Sequence, residues 1–276
     1  MQYIPIHCKT AIQKNKNSRT PYEYEINIYR GCEHGCIYCY ALYSHHYLND
    51  EQFFDHIYYK ENIVEVLRKE LSSPRWSGGI INLGSVSDCY QPCERELCLT
   101  REILKLMIEF KQSINISTKS KLILRDLDLL SELSKVAQVN ITCTITTADE
   151  HIQKLIEPLA TSSLERMKVL QILKQQTHAS VGILMMPIIP YLTDFYENLE
   201  AIYQLAQNIQ IDFIIPGILY LRGPTKTHFY NIIQSYHDSL YRELKQLYIS
   251  GSCTKEYRKQ VYQKITELQK KYPLSF

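Results

Sequence analysis

Between Tyr29 and Ala41 the chain reads Tyr-Arg-Gly-Cys-Glu-His-Gly-Cys-Ile-Tyr-Cys-Tyr-Ala. This places Cys32, Cys36 and Cys39 at Cys-x3-Cys-x2-Cys spacing, with Tyr38 directly before the third. Cysteine thiolates are the usual ligands of iron–sulfur clusters, and a four-iron cubane normally takes four of them. Three thiolates leave one iron without a protein ligand, a Lewis-acidic position open to a small chelating molecule. Gly31 and Gly35 flank the ligands, as suits a backbone that must wrap closely around a bulky group. Two other uses of the thiols stay open. A zinc ion wants four ligands, and His34 inside the loop is available as the fourth. Disulfides fit less well: the nine cysteines are an odd number, unevenly spread, and nothing resembling a signal peptide precedes them.

The rest of the composition suits a single enzyme domain. Of 276 residues, 45% are hydrophobic, enough for a sizeable core. A net charge of +2 gives no support to the large basic face that dominates nucleic-acid affinity. Basic residues gather near the C-terminus, at Lys255, Arg258, Lys259, Lys264, Lys270 and Lys271, but Glu256 and Glu267 are interspersed, which reads as a solvated helix face. No apolar run approaches the roughly 20 residues of a membrane span, so a soluble, cytoplasmic protein is expected, where reduced thiols can accept a cluster. Tyrosine is abundant, with 22 residues against one tryptophan; most are expected to be half-buried packing residues with a polar end.

Along the chain, strand-like and helix-like segments alternate. Tyr24, Ile26 and Ile28 have the period of a strand that runs from Glu23 to Tyr29, straight into the cysteine loop. Further strands are predicted at Gly79 to Leu83, Ile114 to Thr118, Val139 to Thr146, Val181 to Met186 and Phe213 to Ile215. Helices are predicted between them, at Asn62 to Leu71, Leu99 to Phe110 and Leu122 to Leu133. Further helices are expected to begin at Thr147, Ser162 and Asp194, each followed three residues later by a glutamate. Two more, Tyr230 to Tyr248 and Lys255 to Lys271, close the chain around a Ser250-Gly251-Ser252 turn. Six strands each followed by helix give an α/β fold, a partial (β/α)6 TIM-type barrel. The expected division is a core over 1–225 and a helical C-terminal extension over 226–276.

In such barrels chemistry sits at the C-terminal ends of the strands. The first of these ends carries the cysteine loop. The second reads Gly84-Ser-Val-Ser-Asp-Cys-Tyr-Gln-Pro-Cys-Glu94, where Ser87 and Asp88 offer hydrogen bonds to a ligand or close a local turn. The third, Ser117-Thr-Lys119-Ser120, puts a cation where an apolar strand ends, suited either to a carboxylate or to solvent. In the fourth, Thr147 is expected to cap a helix, leaving Thr146 to a ligand.

With these blocks in place, the chain resembles radical S-adenosylmethionine (SAM) enzymes, and within them the spore photoproduct lyase-like branch. The resemblance rests on Asn27-x-Tyr29-Arg-Gly-Cys-x-His-Gly-Cys-x-Tyr-Cys-Tyr-Ala41, Ser87-Asp88-x-Tyr90-Gln-Pro92-x-Glu94, Thr118-Lys-Ser120, Leu124-Arg-Asp-Leu-Asp128 and Met186-Pro-Ile-Ile-Pro190. It covers roughly positions 20 to 230. It implies a [4Fe–4S] cluster on Cys32, Cys36 and Cys39, whose open iron chelates SAM. It implies Tyr38 near the adenine, Ser87 near the amino or ribose end, Lys119 on the SAM carboxylate and Thr146 as a hydroxyl contact. Asp88, Tyr90, Gln91 and Glu94 become candidate SAM or substrate contacts. The reduced cluster of this family cleaves SAM to methionine and a 5′-deoxyadenosyl radical, so an electron donor of flavodoxin or ferredoxin type is an expected partner.

One departure bears on the substrate. Spore photoproduct lyases use a cysteine as hydrogen-atom donor near this second-strand loop; here Val86 precedes Ser87 and Cys89 follows Asp88. Cys89, with Tyr90, is the candidate catalytic group if it points into the barrel, and a small packing residue if it points outward. Cys93 and Cys98 fit no standard metal spacing with Cys89, and Cys8, Cys143 and Cys253 are isolated, so all are expected to pack. Three readings remain: a radical SAM enzyme with an unidentified substrate, a lyase repairing a thymine photoproduct in DNA, and a non-catalytic cluster- or zinc-binding protein.

Overall fold

The computed structural model describes residues 1–17 and 20–274. The chain opens with β1 (Gln2–Ile6) and β2 (Ile12–Lys14), then passes through β3 (Tyr24–Ile26) and β4 (Tyr29–Arg30) into the cysteine loop. A 3-10 helix (Tyr40–Leu48) and β5 (His56–Lys60) follow. Strand and helix then alternate: α1 (Ile63–Leu71), β6 (Ile81–Leu83), α2 (Glu94–Leu97), α3 (Leu99–Glu109), β7 (Ile114–Thr118), α4 (Leu127–Val136) and β8 (Val139–Thr144). They continue as α5 (Glu150–Ile156), α6 (Ser163–Gln176), β9 (Ser180–Ile188), α7 (Tyr196–Asn208) and β10 (Phe213–Ile218). Helices α8 (Gly223–Tyr236), α9 (Asp238–Leu247) and α10 (Lys255–Lys271) end the described chain. No helix among the described residues is long and apolar enough to cross a membrane.

The main sheet has the order β10-β9-β8-β7-β6-β3-β2, with six strands parallel in chain order and β2 antiparallel at one edge. Among the described residues β2 and β10 are the two edges, so the barrel is partial, as expected. Alternation along the strands decides which residues meet the helices. Ile81, Leu83, Ile114, Ile116, Ile141 and Ile183 are buried in the main core with Ile103 and Met107 of α3 and Leu130 and Leu133 of α4. Each such side chain contributes about 1.5–3 kcal/mol of burial.

The opposite, concave face is polar. Asn82, Asn115 and Asn140 stand side by side in register, and Asn140 Nδ2 donates to Asn115 Oδ1 at 2.7 Å. One layer nearer the strand ends, Ser117 and Thr142 hydroxyls meet at 2.8 Å. On the far side Phe213 lies over Gly182; a Cβ on that glycine would stand 2.3 Å from the ring. The fold thus keeps the apolar half of the concavity filled and leaves its hydrogen-bonding half under the loops that carry the cysteines.

The structure departs from the sequence expectations in several places. The strand expected over Glu23 to Tyr29 is broken: Asn27 Oδ1 leaves the ladder to accept from Ser85 N and Val86 N, at 2.8 and 3.0 Å. Beyond it β4 joins a second, three-stranded sheet, β1-β5-β4. The helix expected over Tyr230 to Tyr248 is two helices, parted at His237, whose ring caps α9 by accepting from Leu240 N. The segment from Lys121 to Asp126 is 3-10 rather than α, and α4 starts only at Leu127. Asp149, not Thr147, caps α5, and α7 begins after Phe195. Asp194 instead anchors the last helix: its carboxylate accepts from Tyr257 and its carbonyl from Lys264 at 2.9 Å. Ser162 does cap α6, accepting from Glu165 N.

Candidate active site

The cysteine loop is held tightly before any ligand is considered. Gly31 has φ +87°, and a Cβ there would meet His56 O at 2.4 Å and Phe53 O at 2.9 Å. Gly35 is also left-handed, at φ +66°, so both glycines are required by backbone conformation. Cys32 N donates to Phe53 O, Ile37 N to Ile156 O at the end of α5, and Thr225 Oγ1 of α8 to Cys39 O. From the second-strand loop, the Gln91 amide accepts from Glu33 N at 3.0 Å and donates to Gly31 O at 3.2 Å. Cys32 and Cys36 are buried, Cys39 is half-buried, and all three are free thiols. Burial pushes the Cys36 thiol up to about 12, with Lys119 and Arg166 pulling the other way and Glu157 and Cys39 adding to the rise. Such thiols resist becoming bare thiolates, and a bound cation of high charge is what would deprotonate them.

Asp88 ties this loop to the third strand. Its carboxylate accepts from Tyr90 N at 2.8 Å, Thr118 Oγ1 at 2.8 Å and Lys119 N at 2.7 Å, and His34 Nε2 lies 3.1 Å away. Burial pushes its pKa up, but His34 and the backbone donors outweigh that and hold it down to about 2. Ser87 Oγ donates to Tyr29 O at 3.0 Å. Glu94 is fully buried and bound by Arg125 Nη2 at 2.7 Å, by Thr100 N and by the Tyr29 hydroxyl. Cys89 and Tyr90 are fully buried in the main core with Cys93. Thr100 of α3 donates to the Cys89 carbonyl at 2.6 Å, and burial followed by Asp88 and Glu94 pushes the thiol pKa up. The Tyr90 hydroxyl has no hydrogen-bond partner among the described residues.

Lys119, Tyr38 and Thr146 meet on the other side of the loop. Lys119 Nζ lies 5.6 Å from the centre of the Tyr38 ring and has no hydrogen bond or ion pair among the described residues. Burial disfavours its ammonium, yet Cys36, Glu157 and Asp88 raise its pKa, so it stays a cation. The Tyr38 hydroxyl donates to Glu157, and Thr146 Oγ1 donates to the same carboxylate oxygen at 3.2 Å. Glu157 is in turn paired with Arg166, both side chains being fully buried. Arg166 also reaches the carbonyl of Thr144 at the end of β8. Burial pushes Glu157 up, but Arg166 and Lys119 outweigh it and hold the carboxyl below its ordinary range.

Sequence reasoning missed Glu157 and Arg166. A signal existed for one of them: Arg166 lies on the buried stripe of α6 with Ser163, Met167, Leu170 and Leu173, and an arginine at such a position demands a buried partner. Thr147, expected to cap α5, instead holds α7: its hydroxyl donates to Asn198 Oδ1 at 2.9 Å.

The family model for the radical SAM superfamily matches residues 26–206. The chain belongs to the radical SAM superfamily. An uncharacterized protein of Mycobacterium tuberculosis is 28% identical over 274 residues, covering 97% of this chain and 80% of the relative. An uncharacterized protein of Methanocaldococcus jannaschii is 34% identical over 194 residues, covering 70% of each. Among solved structures, spore photoproduct lyase complexed with dinucleoside spore photoproduct has a TM-score of 0.69 at 16% identity, covering 98% of this chain and 79% of that one. At that identity the likeness establishes the fold.

The protein is therefore a radical SAM enzyme, of a superfamily that uses a [4Fe–4S] cluster and SAM and needs a reductant. The residues fit that cofactor pair. Among the described residues no three His, Cys, Asp or Glu side chains are grouped to hold a metal ion, and the donor set the loop offers is three free thiols, the ligand type a cubane takes. His34 turns its Nε2 to Asp88.

Proposed function

We propose that Cys32, Cys36 and Cys39 hold the cluster and that Lys119 receives the SAM carboxylate, in a radical SAM enzyme of the spore photoproduct lyase-like branch whose substrate is not a DNA photoproduct. The observation that carries this reading is the Lys119 ammonium, a cation over the Tyr38 ring with no hydrogen bond or ion pair among the described residues, at the edge of the cysteine loop. Burying a cation unpaired is costly, and a carboxylate ligand relieves that cost. Bound together, the cluster and SAM supply a 5′-deoxyadenosyl radical that abstracts hydrogen from carbon. This chain's residues position and enclose. The Tyr38 ring faces the Lys119 ammonium while its hydroxyl is pinned by Glu157. Thr146 and Ser87, whose hydroxyl protons go to Glu157 and to the Tyr29 carbonyl, are left only as acceptors for the ribose and amino ends, and Asp88, with its oxygens taken by protein donors, holds the second and third loops in register. Glu94 and Gln91 act the same way on the loop backbone.

The burial of Cys89 on the α3 side supports a packing role and leaves the reaction without the hydrogen donor a photoproduct lyase uses. The near-neutral charge of +2 points the same way, since a DNA enzyme needs a basic groove and a means of extruding the lesion. The fold likeness over 98% of the chain favours the second reading, repair of a thymine photoproduct. Ultraviolet-irradiated DNA separates the two: the first reading expects no repair and no rise in SAM cleavage, and repair abolished by Cys89→Ala would overturn it. A non-catalytic role predicts that Lys119→Met leaves SAM binding unchanged.

A further inference from the structure

Beside the cysteine loop, past the third-strand end that carries Lys119, the surface is indented. A cleft of about 330 Å³ opens there, lined by His34, Arg95, Ser120, Lys121, Arg125 and Thr161 among others. His34 is its link to the cluster ligands. It lies between Cys32 and Cys36, is 3% exposed, and its Nδ1 is buried with no hydrogen-bond partner among the described residues. Leu159, also in the lining, donates its N–H to the His34 carbonyl at 3.2 Å. The cleft thus runs from solvent to the loop that would carry the cluster.

Its charge is one-sided. Arg95, Lys121 and Arg125 line it, and no carboxylate does. The counter-charges of Arg125, Glu94 and Asp126, have fully buried side chains beneath it, at 2.7 Å each. Lys121 pairs with Glu165 at 2.8 Å across an exposed surface, where an ion pair is weak and exchangeable. Arg95 is exposed and makes no ion pair or side-chain hydrogen bond among the described residues. A partner approaching this face meets the Arg95 and Arg125 guanidinium groups with the carboxylates that pair Arg125 shielded from it, while Glu165 beside Lys121 stays exposed.

We infer that this cleft is the docking site of a small acidic one-electron carrier protein, which reduces the cluster through the His34 side of the loop. The inference rests on the radical SAM reading. Each turnover needs one electron from outside: the donor is oxidised by one electron, the cluster is reduced by one, and no bond or proton moves. Electron transfer between proteins needs close approach of the two redox groups, and this cleft is where the surface comes down to the ligand loop. A lining whose charged side chains are the cations Arg95, Lys121 and Arg125 selects an acidic partner and speeds its encounter. A single strand of nucleic acid is the rival occupant of such a rim, but the cleft ends on a buried histidine with no aromatic platform for bases in its lining.

The test uses the reconstituted holoprotein and its double variant Arg95→Glu/Lys121→Glu, mixed anaerobically with reduced bacterial flavodoxin while the visible absorbance of the cluster is followed. The expected result is cluster bleaching by flavodoxin at least about 10-fold slower in the variant at low ionic strength, with the salt dependence of the wild type lost. Bleaching by photoreduced deazariboflavin, small and uncharged, should be unchanged. Equal flavodoxin rates and salt slopes in the two proteins overturn the inference. So does an equal slowing with both reductants, which would place the two residues in the cluster site itself. Loss of single-stranded oligonucleotide binding with an unchanged flavodoxin rate would assign the cleft to nucleic acid and also overturn it. Bleaching requires no SAM, so a failure of the proposed chemistry would show separately, as a reduced wild-type cluster that leaves SAM intact.

Discussion

Replacing Arg166 with methionine probes the buried network beneath the SAM site. In the native protein the fully buried Glu157 carboxylate is held by Arg166, the Tyr38 hydroxyl and Thr146 Oγ1. The variant keeps the two hydroxyls and the more distant Lys119 but leaves the charge without its ion-pair partner, a change that costs about 3–5 kcal/mol in buried pairs. At about 2–4 °C per kcal/mol, the melting temperature should fall by about 6–20 °C. The pH dependence adds a second check. The native Glu157 pKa is lowered, so its contribution to stability is present above the unfolded value near ~4.3 and is lost as pH falls through the lower folded value. In Arg166→Met burial dominates and the folded pKa rises above the unfolded one, so protonation favours the folded variant and the deficit shrinks as pH falls from neutral toward ~5. The double variant Glu157→Gln/Arg166→Met should recover roughly 1–3 kcal/mol of the loss. Anaerobic thermal and urea denaturation of the cluster-free protein, followed by far-ultraviolet circular dichroism at both pH values, measure all three. A loss under about 1 kcal/mol that does not change with pH is what an exposed pair gives, and it would refute the reasoning.

Three further outcomes are expected. Lys119→Met should weaken SAM binding about 10- to 150-fold, the worth of a charge-assisted hydrogen bond of about 1.5–3 kcal/mol, with the cluster's absorbance unchanged; calorimetric titration of the holoprotein checks this, and unaltered affinity removes Lys119 from the site. Gly31→Ala should lower cluster occupancy on reconstitution, because its Cβ would stand 2.4 Å from His56 O at φ +87°; iron and sulfide analysis showing full loading would contradict the crowding. Asp50 is held down to about 2: burial pushes it up, but Gln52 N, the Tyr58 hydroxyl and His56 outweigh that. Its stabilisation should be intact above pH ~4 and lost toward pH 2, so Asp50→Asn should flatten the acid limb of the stability profile, and an unchanged limb would remove Asp50 from it.

What the sequence made legible follows from how local each signal is. The six parallel strands could be read because each is a short apolar run ended by glycine, proline or a polar cluster, and the cysteine loop because its ligands lie within eight residues of one another. The sheet of β1, β5 and β4 could not, since it pairs Gln2 with His56 and Tyr29 with Tyr59 on half-polar strands with no shared pattern. The candidate site divides the same way. Lys119 and Thr146 were marked by strand ends, whereas Glu157 binds Tyr38 from 119 positions away, a distance no motif spans. Asp88 and Glu94 announced themselves as ligand contacts through their loop, yet their oxygens are taken up by protein donors, which only the packed structure reveals. His237 looked like an ordinary helix residue until its ring appeared as a cap.

In the proposed site, three thiolates and a lysine with no ion pair among the described residues serve reductive SAM cleavage. The most direct measurement is 5′-deoxyadenosine formed when the anaerobically reconstituted protein is reduced in the presence of SAM. The wild type should form it, and Cys36→Ala should lose both the cluster and the product. A fully loaded, fully reduced wild-type cluster that forms none would contradict the account.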